Sequence, residues 1–290
     1  KQNNILEVRD LEIEARPYGA DPIPIVKGVS FDVQPGQVVA LIGESGSGKT
    51  TIALSALGYT KPGLHFSGGE VLLQAEDMEK VSNERKRQLR GENVAYLAQS
   101  AAATFNPALK IGEQVTESAV LHGAMSQDDA TERATALYKA LELPEPEKIG
   151  NRYPHQVSGG QLQRLMAAMA LVTKPALLVL DEPTTALDVT TQIEVLKAFK
   201  TVIQNEGSAA IYVTHDLALV AQIADHIVVL YGGEVMEQGP ASQVINNSSH
   251  QYTKRLMAAV RPTPQSGIDD ISKDKNNAQI NALQINNVTA

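Results

Sequence analysis

The sequence predicts an α/β fold built on a mainly parallel sheet and interrupted by a helical insertion. Short apolar segments of strand length alternate with helical patterns on both sides of the middle of the chain. A glycine-rich stretch at 43–48 separates one such strand from the helix that follows it. At about 100–172 the pattern changes to Ala- and Leu-rich helices without a convincing strand. Such alternation is typical of parallel sheets, because each parallel connection needs a crossover.

The N-terminal elements follow from the spacing of the apolar residues. Residues 5–13 alternate apolar and polar side chains, as a half-buried strand does. Residues 17–24 contain three prolines and a glycine, so they are predicted to form a loop. The same reasoning predicts strands at 28–33 and 38–42 and a helix at 49–57.

The C-terminal half returns to short apolar strands before its composition becomes polar. Strands are predicted at 176–180, 209–214 and 226–231. Residues 261–281 are rich in Ser, Asp, Lys, Asn and Gln, which is typical of a flexible linker. Residues 282–290 alternate again, with apolar spacing like that of the first strand. Two interpretations stay open: the first strand of a second, truncated copy of the domain, or a frayed tail.

Composition limits the class of protein. Of 290 residues, 43% are hydrophobic, so a sizeable core can form. Acidic residues outnumber basic ones by 33 to 25, which disfavours a role in coating nucleic acid. The chain has no cysteine, which excludes disulfides, thiolate metal sites and cysteine nucleophiles. No apolar stretch approaches the roughly 20 residues of a membrane-spanning helix, and the first residues are polar, so we expect a soluble intracellular chain.

The glycine-rich stretch fits the P-loop pattern GxxxxGK[ST], with Gly43 as its first residue and Lys49 and Thr50 at its end. Glycines leave room for phosphate oxygens to reach backbone N–H groups, and the following helix adds a positive dipole end. Lys49 is expected to reach the β- and γ-phosphates of a nucleotide, and Thr50 to supply a hydroxyl to Mg²⁺. An ordinary glycine turn is disfavoured because the strand and the helix flank the loop in the required order.

Two carboxylates, Asp181 and Glu182, directly follow the apolar strand at 176–180. Taken alone, such a pair is best interpreted as solvated. Together with a P-loop it indicates a second part of one site, in which Asp181 holds Mg²⁺ through water. Glu182 is then expected to polarise the water that attacks the γ-phosphate.

A second candidate phosphate cradle, Ser158-Gly-Gly-Gln161, precedes a helical run. Backbone donors and a positive dipole end make such a helix start an anion site, although an ordinary N-cap explains it equally well. One nucleotide does not need two cradles from the same chain. The sequence therefore predicts a head-to-tail dimer, in which the second cradle of one chain closes over the P-loop of the other.

The order of these motifs resembles that of the nucleotide-binding domain of ABC transporters. The chain carries the P-loop, Gln99 in a loop, VSGGQ, LLVLDEP, TALD and a histidine after a strand. The resemblance covers about 5–260. It implies a RecA-like P-loop NTPase core, an N-terminal antiparallel β subdomain and an α-helical subdomain inserted at about 100–172, with ATP and Mg²⁺ as ligands.

The resemblance also implies a role for each motif residue. Gln99 would contact Mg²⁺ and the attacking water, Asp188 would lie at the dimer seam, and His215 would contact the γ-phosphate. Tyr18 is the local aromatic residue for stacking on adenine, although it is displaced from the usual position. The implied catalytic residues are Glu182, His215, Gln99 and Lys49, and the implied Mg²⁺ ligands are Thr50, Gln99 and Asp181. The implied nucleotide contacts are Gly43, Ser45, Gly46, Ser47, Gly48, Lys49, Thr50, Thr51, Tyr18 and Asp188, with Ser158, Gly159, Gly160 and Gln161 of the signature motif, in which Val157 replaces the usual leucine.

A finer resemblance is to the ATPases of dipeptide, oligopeptide and nickel importers. It rests on Phe105-Asn-Pro107, on YPHQ before the signature and on His250-Gln-Tyr-Thr253. It implies a peripheral subunit at the cytoplasmic face of the membrane that couples to two transmembrane permease subunits through a groove at 99–114. The other implied partners are an extracytoplasmic solute-binding protein and a second ATP-binding domain, which is either a second copy or the second half of a tandem protein.

Three alternative functions are weighed against import. A soluble ABC-type ATPase acting on nucleic acid or ribosomes is disfavoured, because long insertions are absent and the chain is acidic. The basic run at 84–90 is interpreted as a solvated helix face rather than a nucleic-acid contact. A kinase is disfavoured by the second phosphate cradle. An exporter is disfavoured because no membrane domain is fused to the sequence.

Overall fold

The computed structural model describes residues 4–184 and 187–258. The predicted linker at 261–281 and the predicted strand at 282–290 lie outside these residues. The strands are β1 Leu6–Ala15, β2 Ile23–Val33, β3 Val38–Gly43, β4 Leu64–Leu73, β5 Glu76–Asp77, β6 Val94–Leu97, β7 Leu177–Asp181, β8 Ala209–Val213, β9 His226–Tyr231 and β10 Glu234–Pro240. The helices are α1 Lys49–Ser55, α2 Asn83–Glu92, α3 Ala101–Thr104, α4 Ile111–Leu121, α5 Gln127–Ala140, α6 Gly159–Leu171, α7 Val189–Glu206, α8 Leu217–Ile223, α9 Ala241–Asn246 and α10 Gln251–Ala258.

The larger sheet has the strand order β10-β9-β3-β8-β7-β6. Its neighbours are parallel except for the antiparallel pair β9 and β10. Every residue of β3 is buried, because helices and a second sheet cover its two faces. Val39 and Leu41 point into one hydrophobic core while Ala40 and Ile42 point into the other. The predicted α/β fold with a mainly parallel sheet is confirmed.

The smaller sheet is antiparallel and has the order β2-β1-β4-β5. It packs its apolar face against α1 and the larger sheet in a shared core. The strand β2 begins at Ile23, inside the segment predicted to be a loop. Pro24 is tolerated there because β2 lies at the edge of this sheet, where a missing N–H breaks no ladder on the outer side.

Four helices, α3 to α6, lie between β6 and β7. The apolar faces of α4, α5 and α6 meet around Ile111, Leu137 and Leu165, all of which are buried. The basic run at 84–90 lies in α2, whose single buried residue is Leu89, so the expected solvated helix face is present. Within the described ranges, no helix combines the length and the apolar character needed to cross a membrane.

Candidate functional site

The P-loop connects the end of β3 to the start of α1, and its glycines satisfy steric demands that no other residue meets. A Cβ atom on Gly43 would lie 2.1 Å from the carbonyl oxygen of Leu230. Gly46 and Gly48 adopt φ angles of 82° and 94°, in the left-handed region that favours glycine. The glycines therefore allow the backbone to pass close to Leu230 and to turn through positive φ angles between β3 and α1.

Lys49 is buried inside the loop. Its Nζ donates to the carbonyl oxygens of Gly43 at 2.9 Å and Glu44 at 2.7 Å, and it lies 3.4 Å from Ser47 Oγ. Burial lowers the pKa of Lys49, and the nearby carboxylates of Glu182 and Asp181 oppose that shift. The ammonium group is thus a desolvated donor whose hydrogen bonds go to neutral carbonyls, and an anion would bind it more strongly than those carbonyls do.

Asp181 ends β7 beside the P-loop helix. Its Oδ1 accepts a hydrogen bond from Thr50 Oγ1 at 3.2 Å, and its Oδ2 accepts one from the hydroxyl of Tyr96 at 3.1 Å. Burial raises the pKa of Asp181, while these two hydrogen bonds lower it.

Tyr96 was missed by the sequence reasoning. An assignment of 94–97 as a strand would have placed it beside β7, where Tyr96 pairs with Val179.

Thr50 and Asp181 fit the binding of Mg²⁺. A hydroxyl and a carboxylate are the oxygen donors that Mg²⁺ prefers, and the ion usually completes its shell with water and substrate phosphates. No group of three or more His, Cys, Asp or Glu side chains suited to a metal occurs in the ranges 4–184 and 187–258. A site of this kind therefore depends on a phosphate ligand for the rest of its oxygen donors.

Two other predicted side chains contact the carboxylate of Glu182. Its Oε1 lies 2.7 Å from His215 Nδ1, and its Oε2 accepts a hydrogen bond from Gln99 Nε2 at 3.3 Å. These residues follow β7, β8 and β6, which are adjacent parallel strands, so their carboxyl ends share one edge of the sheet. The backbone of Glu182 has φ 49°, and its N–H donates to the carbonyl of Val213. This cluster sets a carboxylate between a donor amide and an imidazole beside the P-loop.

The signature residues form a second cluster with the start of α7. Ser158 caps α6, with its hydroxyl accepting from the N–H of Gln161 and its own N–H donating to the Gln161 side chain. A Cβ atom on Gly160 would lie 2.9 Å from the methyl carbon of Thr191. Asp188 caps α7 by accepting from the N–H of Thr191 at 3.1 Å and from its hydroxyl at 2.7 Å.

The hydrogen bonds from the hydroxyl and the N–H of Thr191 lower the pKa of Asp188. The contacts described for Ser158, Gln161 and Asp188 stay within their own helix ends. The second cluster therefore lies where the starts of α6 and α7 adjoin.

The remaining predicted nucleotide contacts lie in the P-loop, in α1 and in the connection between β1 and β2. Ser45 is exposed, whereas Ser47 and Thr51 are buried. Tyr18 lies in the connection between β1 and β2, and its side chain is fully exposed. The structure brings no described side chain against the Tyr18 ring.

The family model described as ABC transporter matches residues 26–185. The oligopeptide transport ATP-binding protein OppD of Bacillus subtilis is 37% identical over 270 residues, covering 92% of this chain and 75% of that protein. The dipeptide transport ATP-binding protein DppD of Bacillus subtilis is 36% identical, covering 88% of this chain and 76% of that protein. The glutathione import ATP-binding protein GsiA of Salmonella paratyphi A is 39% identical, but the matched region is 43% of its length.

Solved structures with this fold are ATP-binding cassettes. The cassette MJ0796, in a dimeric post-hydrolysis state bound to ADP and Pi, has a TM-score of 0.69 and 27% identity, covering 81% of this chain and 98% of that one. The protein cbiO1 of Clostridium perfringens, part of the transporter complex cbiONQ, has a TM-score of 0.73 and 26% identity, covering 84% of this chain and 92% of that one.

Proposed function

Because the chain belongs to the ABC transporter family and is an ATP-hydrolysing cassette that works with ATP and Mg²⁺, we propose that it powers the uptake of peptides or similar small solutes through partner permeases. The observation that carries this proposal is the cluster at Glu182, where Gln99 and His215 converge beside a P-loop. The relatives named for oligopeptide, dipeptide and glutathione transport support the solute class.

The P-loop residues bind and orient ATP. Lys49 exchanges the carbonyls of Gly43 and Glu44 for the β- and γ-phosphates, since the negative charge on phosphate oxygens attracts the ammonium group more strongly than neutral carbonyls do. Thr50 and Asp181 would hold Mg²⁺, and the ion would neutralise charge on the phosphates. Tyr18 offers an exposed ring for the adenine base.

Glu182 orients or deprotonates the attacking water. Gln99 donates to one of its carboxylate oxygens, which leaves that amide positioned to contact the same water. His215 lies against the other oxygen and stabilises charge on the transferring phosphoryl group. The two neighbours fix the carboxylate in one orientation, and a general base works only within hydrogen-bond reach of its proton.

A second ATP-binding domain completes the site. The cluster of Ser158, Gly160 and Asp188 forms its own surface, which suits contact with the nucleotide on another cassette. Both clusters are intact in this chain, so two copies can complete each other. In a tandem protein a second cassette would take the place of the second copy.

The membrane partners are two permease subunits, served by an extracytoplasmic solute-binding protein, and the cassette lies at the cytoplasmic face of the membrane. The side chain of Gln114 supports a coupling groove because it fixes the loop before α4: it accepts from the N–H of Asn106 at 2.8 Å and donates to the carbonyls of Asn106 and Leu109. The ordered loop leaves Leu109 exposed, with Leu121 exposed further along α4. An apolar helix of a permease fits such a surface.

Reconstitution tests the proposed transport. The chain is assembled in liposomes with the permease subunits of a peptide importer, with ATP on the cassette side and a labelled oligopeptide on the other. We expect ATP-dependent uptake that is lost in the Glu182→Gln variant. Hydrolysis without uptake, or hydrolysis stimulated by RNA or ribosomes instead of permeases, would contradict the proposal.

A further inference from the structure

The first peptide group of the P-loop is held from both sides. The carbonyl of Gly43 accepts from Lys49 Nζ at 2.9 Å, while the N–H of Glu44 donates to the hydroxyl of Tyr252 at 3.3 Å. This carbonyl and this N–H belong to one planar trans peptide and point in opposite directions. Lys49 and Tyr252 therefore fix the orientation of the same peptide plane from its two opposite edges.

Tyr252 reaches the loop from α10, 208 residues further along the chain. The start of α10 is anchored by the carboxylate of Glu237, which accepts from the N–H and hydroxyl of Ser249 and from the N–H of His250. The N–H of Tyr252 donates to His250 Nδ1 at 3.2 Å. The His250-Gln-Tyr-Thr segment is thus a structured support that directs one hydroxyl at the P-loop.

The ring of Tyr252 is held as firmly as its hydroxyl. Its side chain is buried, and the ring packs on Tyr231 with centroids 4.7 Å apart. Tyr231 follows Leu230, the residue whose carbonyl occupies the space beside Gly43. The end of β9 and the start of α10 therefore enclose the first peptide of the loop together.

A peptide that follows glycine is easily turned over, because glycine has no Cβ atom to restrict its backbone. The φ of Gly43 is 149°. A rotation of the plane between Gly43 and Glu44 would move the carbonyl away from Lys49 and turn it against incoming phosphate oxygens. The hydroxyl of Tyr252 opposes that rotation while Lys49 leaves the carbonyls for the nucleotide.

We propose that Tyr252 is a positioning residue for ATP binding, whose hydroxyl holds the peptide between Gly43 and Glu44 in the orientation that the nucleotide requires. Tyr252 contacts the loop and not the phosphates, so its hydroxyl raises the fraction of molecules whose P-loop can bind the nucleotide. When only part of the population is competent, apparent affinity falls in proportion to that part.

The test compares Tyr252→Phe with the matched control Tyr231→Phe. The first removes the hydroxyl that accepts from Glu44 and keeps the ring, whereas the second removes the hydroxyl from the other ring of the pair, for which no hydrogen bond is described. We expect Tyr252→Phe to raise the Kd and KM for ATP about 3- to 10-fold, the equivalent of one net hydrogen bond, with kcat at saturating ATP unchanged. Tyr231→Phe should leave both constants within twofold of the wild type.

A Kd for Tyr252→Phe that is equal to that of the control would overturn the proposal, as would a change in kcat alone. A Tyr252→Phe variant with a lower melting temperature and an unchanged Kd for ATP would also overturn it, because the hydroxyl would then contribute to packing and not to the position of the loop. A second measurement needs no variant: amide hydrogen exchange of Glu44 in the wild-type protein. The proposal requires this N–H to be protected before nucleotide binds, and exchange at the rate of an exposed loop amide would contradict it.

Discussion

At the scale of single residues, the proposed chemistry centres on the carboxylate of Glu182. It is held by Gln99 through one oxygen and by His215 through the other, and its backbone has a positive φ that side chains rarely adopt. Strained backbone that persists in a structure is often found where geometry serves function. Lys49 and Asp181 lie close enough to Glu182 that its negative charge acts to raise the pKa of both groups.

Replacing Glu182 by Gln is expected to leave ATP binding intact and to lower turnover about 10²- to 10⁴-fold, the usual contribution of a positioned base. The amide keeps the shape of the side chain and removes its basicity. Steady-state phosphate release measures turnover, and titration with a fluorescent ATP analogue measures binding. Turnover equal to the wild type would remove Glu182 from the mechanism.

Replacing Lys49 by Ala is expected to weaken ATP binding at least tenfold, because the buried cation that replaces its carbonyl partners with phosphates is lost. The matched control is Lys197→Ala, which removes an exposed lysine from α7. The same titration measures both variants. Wild-type affinity in Lys49→Ala, with the control also unchanged, would contradict the role of Lys49.

Residues that follow a strand in a recognisable motif were predicted from the sequence, and residues brought in from a distance were not. Asp181 and His215 are examples of the first kind, since each follows a predicted strand, whereas Gln99 was identified by the family resemblance, with no strand predicted before it. Tyr96 and Tyr252 belong to the second kind: their hydroxyls meet partners 85 and 208 residues away. No local pattern records such a contact, because it depends on how strands and helices pack.

At the scale of secondary-structure elements, the parallel strands β3, β7, β8 and β9 were predicted and β6 was not, whereas of the antiparallel strands β1 and part of β2 were predicted and β4, β5 and β10 were not. The strand β3 is a continuous apolar run, so its pattern is unambiguous. The strand β4 alternates exposed and partly buried residues and contains Gly68 and Gly69, which read as a turn. The strand β10 has a single buried residue, so it also lacks an apolar pattern.

The contact between α6 and α7 gives a prediction about the second cluster. We expect Gly160→Ala to destabilise the fold by about 1 kcal/mol, because its Cβ atom would lie 2.9 Å from the stiff methyl group of Thr191. Gly159→Ala is the matched control, since its Cβ atom meets Leu187 at an ordinary 3.6 Å. Urea unfolding measures both.

Adding Thr191→Ser to Gly160→Ala should restore the lost stability. Serine removes the methyl group and keeps the hydroxyl that donates to Asp188. A double variant no more stable than Gly160→Ala would show that the methyl contact is not the cause.

At the scale of the whole molecule, the Glu182 cluster and the Ser158 cluster have different proposed roles. We propose that the Glu182 cluster and the P-loop form one half of a nucleotide site, and that the Ser158 cluster, at the start of α6 and α7, contacts the nucleotide of another cassette. In this proposal one chain does not use both clusters on the same nucleotide. We therefore expect two cassettes to meet across ATP, and a dimeric state is described for the related cassette MJ0796.

Light scattering on the Glu182→Gln variant, with and without ATP and Mg²⁺, tests this expectation most directly. Slow turnover keeps the nucleotide in place, so the bound state persists during the measurement. If two copies of this chain form the sandwich, we expect a monomer without nucleotide and a doubling of the mass when ATP and Mg²⁺ are added. A chain that is saturated with ATP by titration and still has the mass of a monomer would contradict a sandwich of two copies.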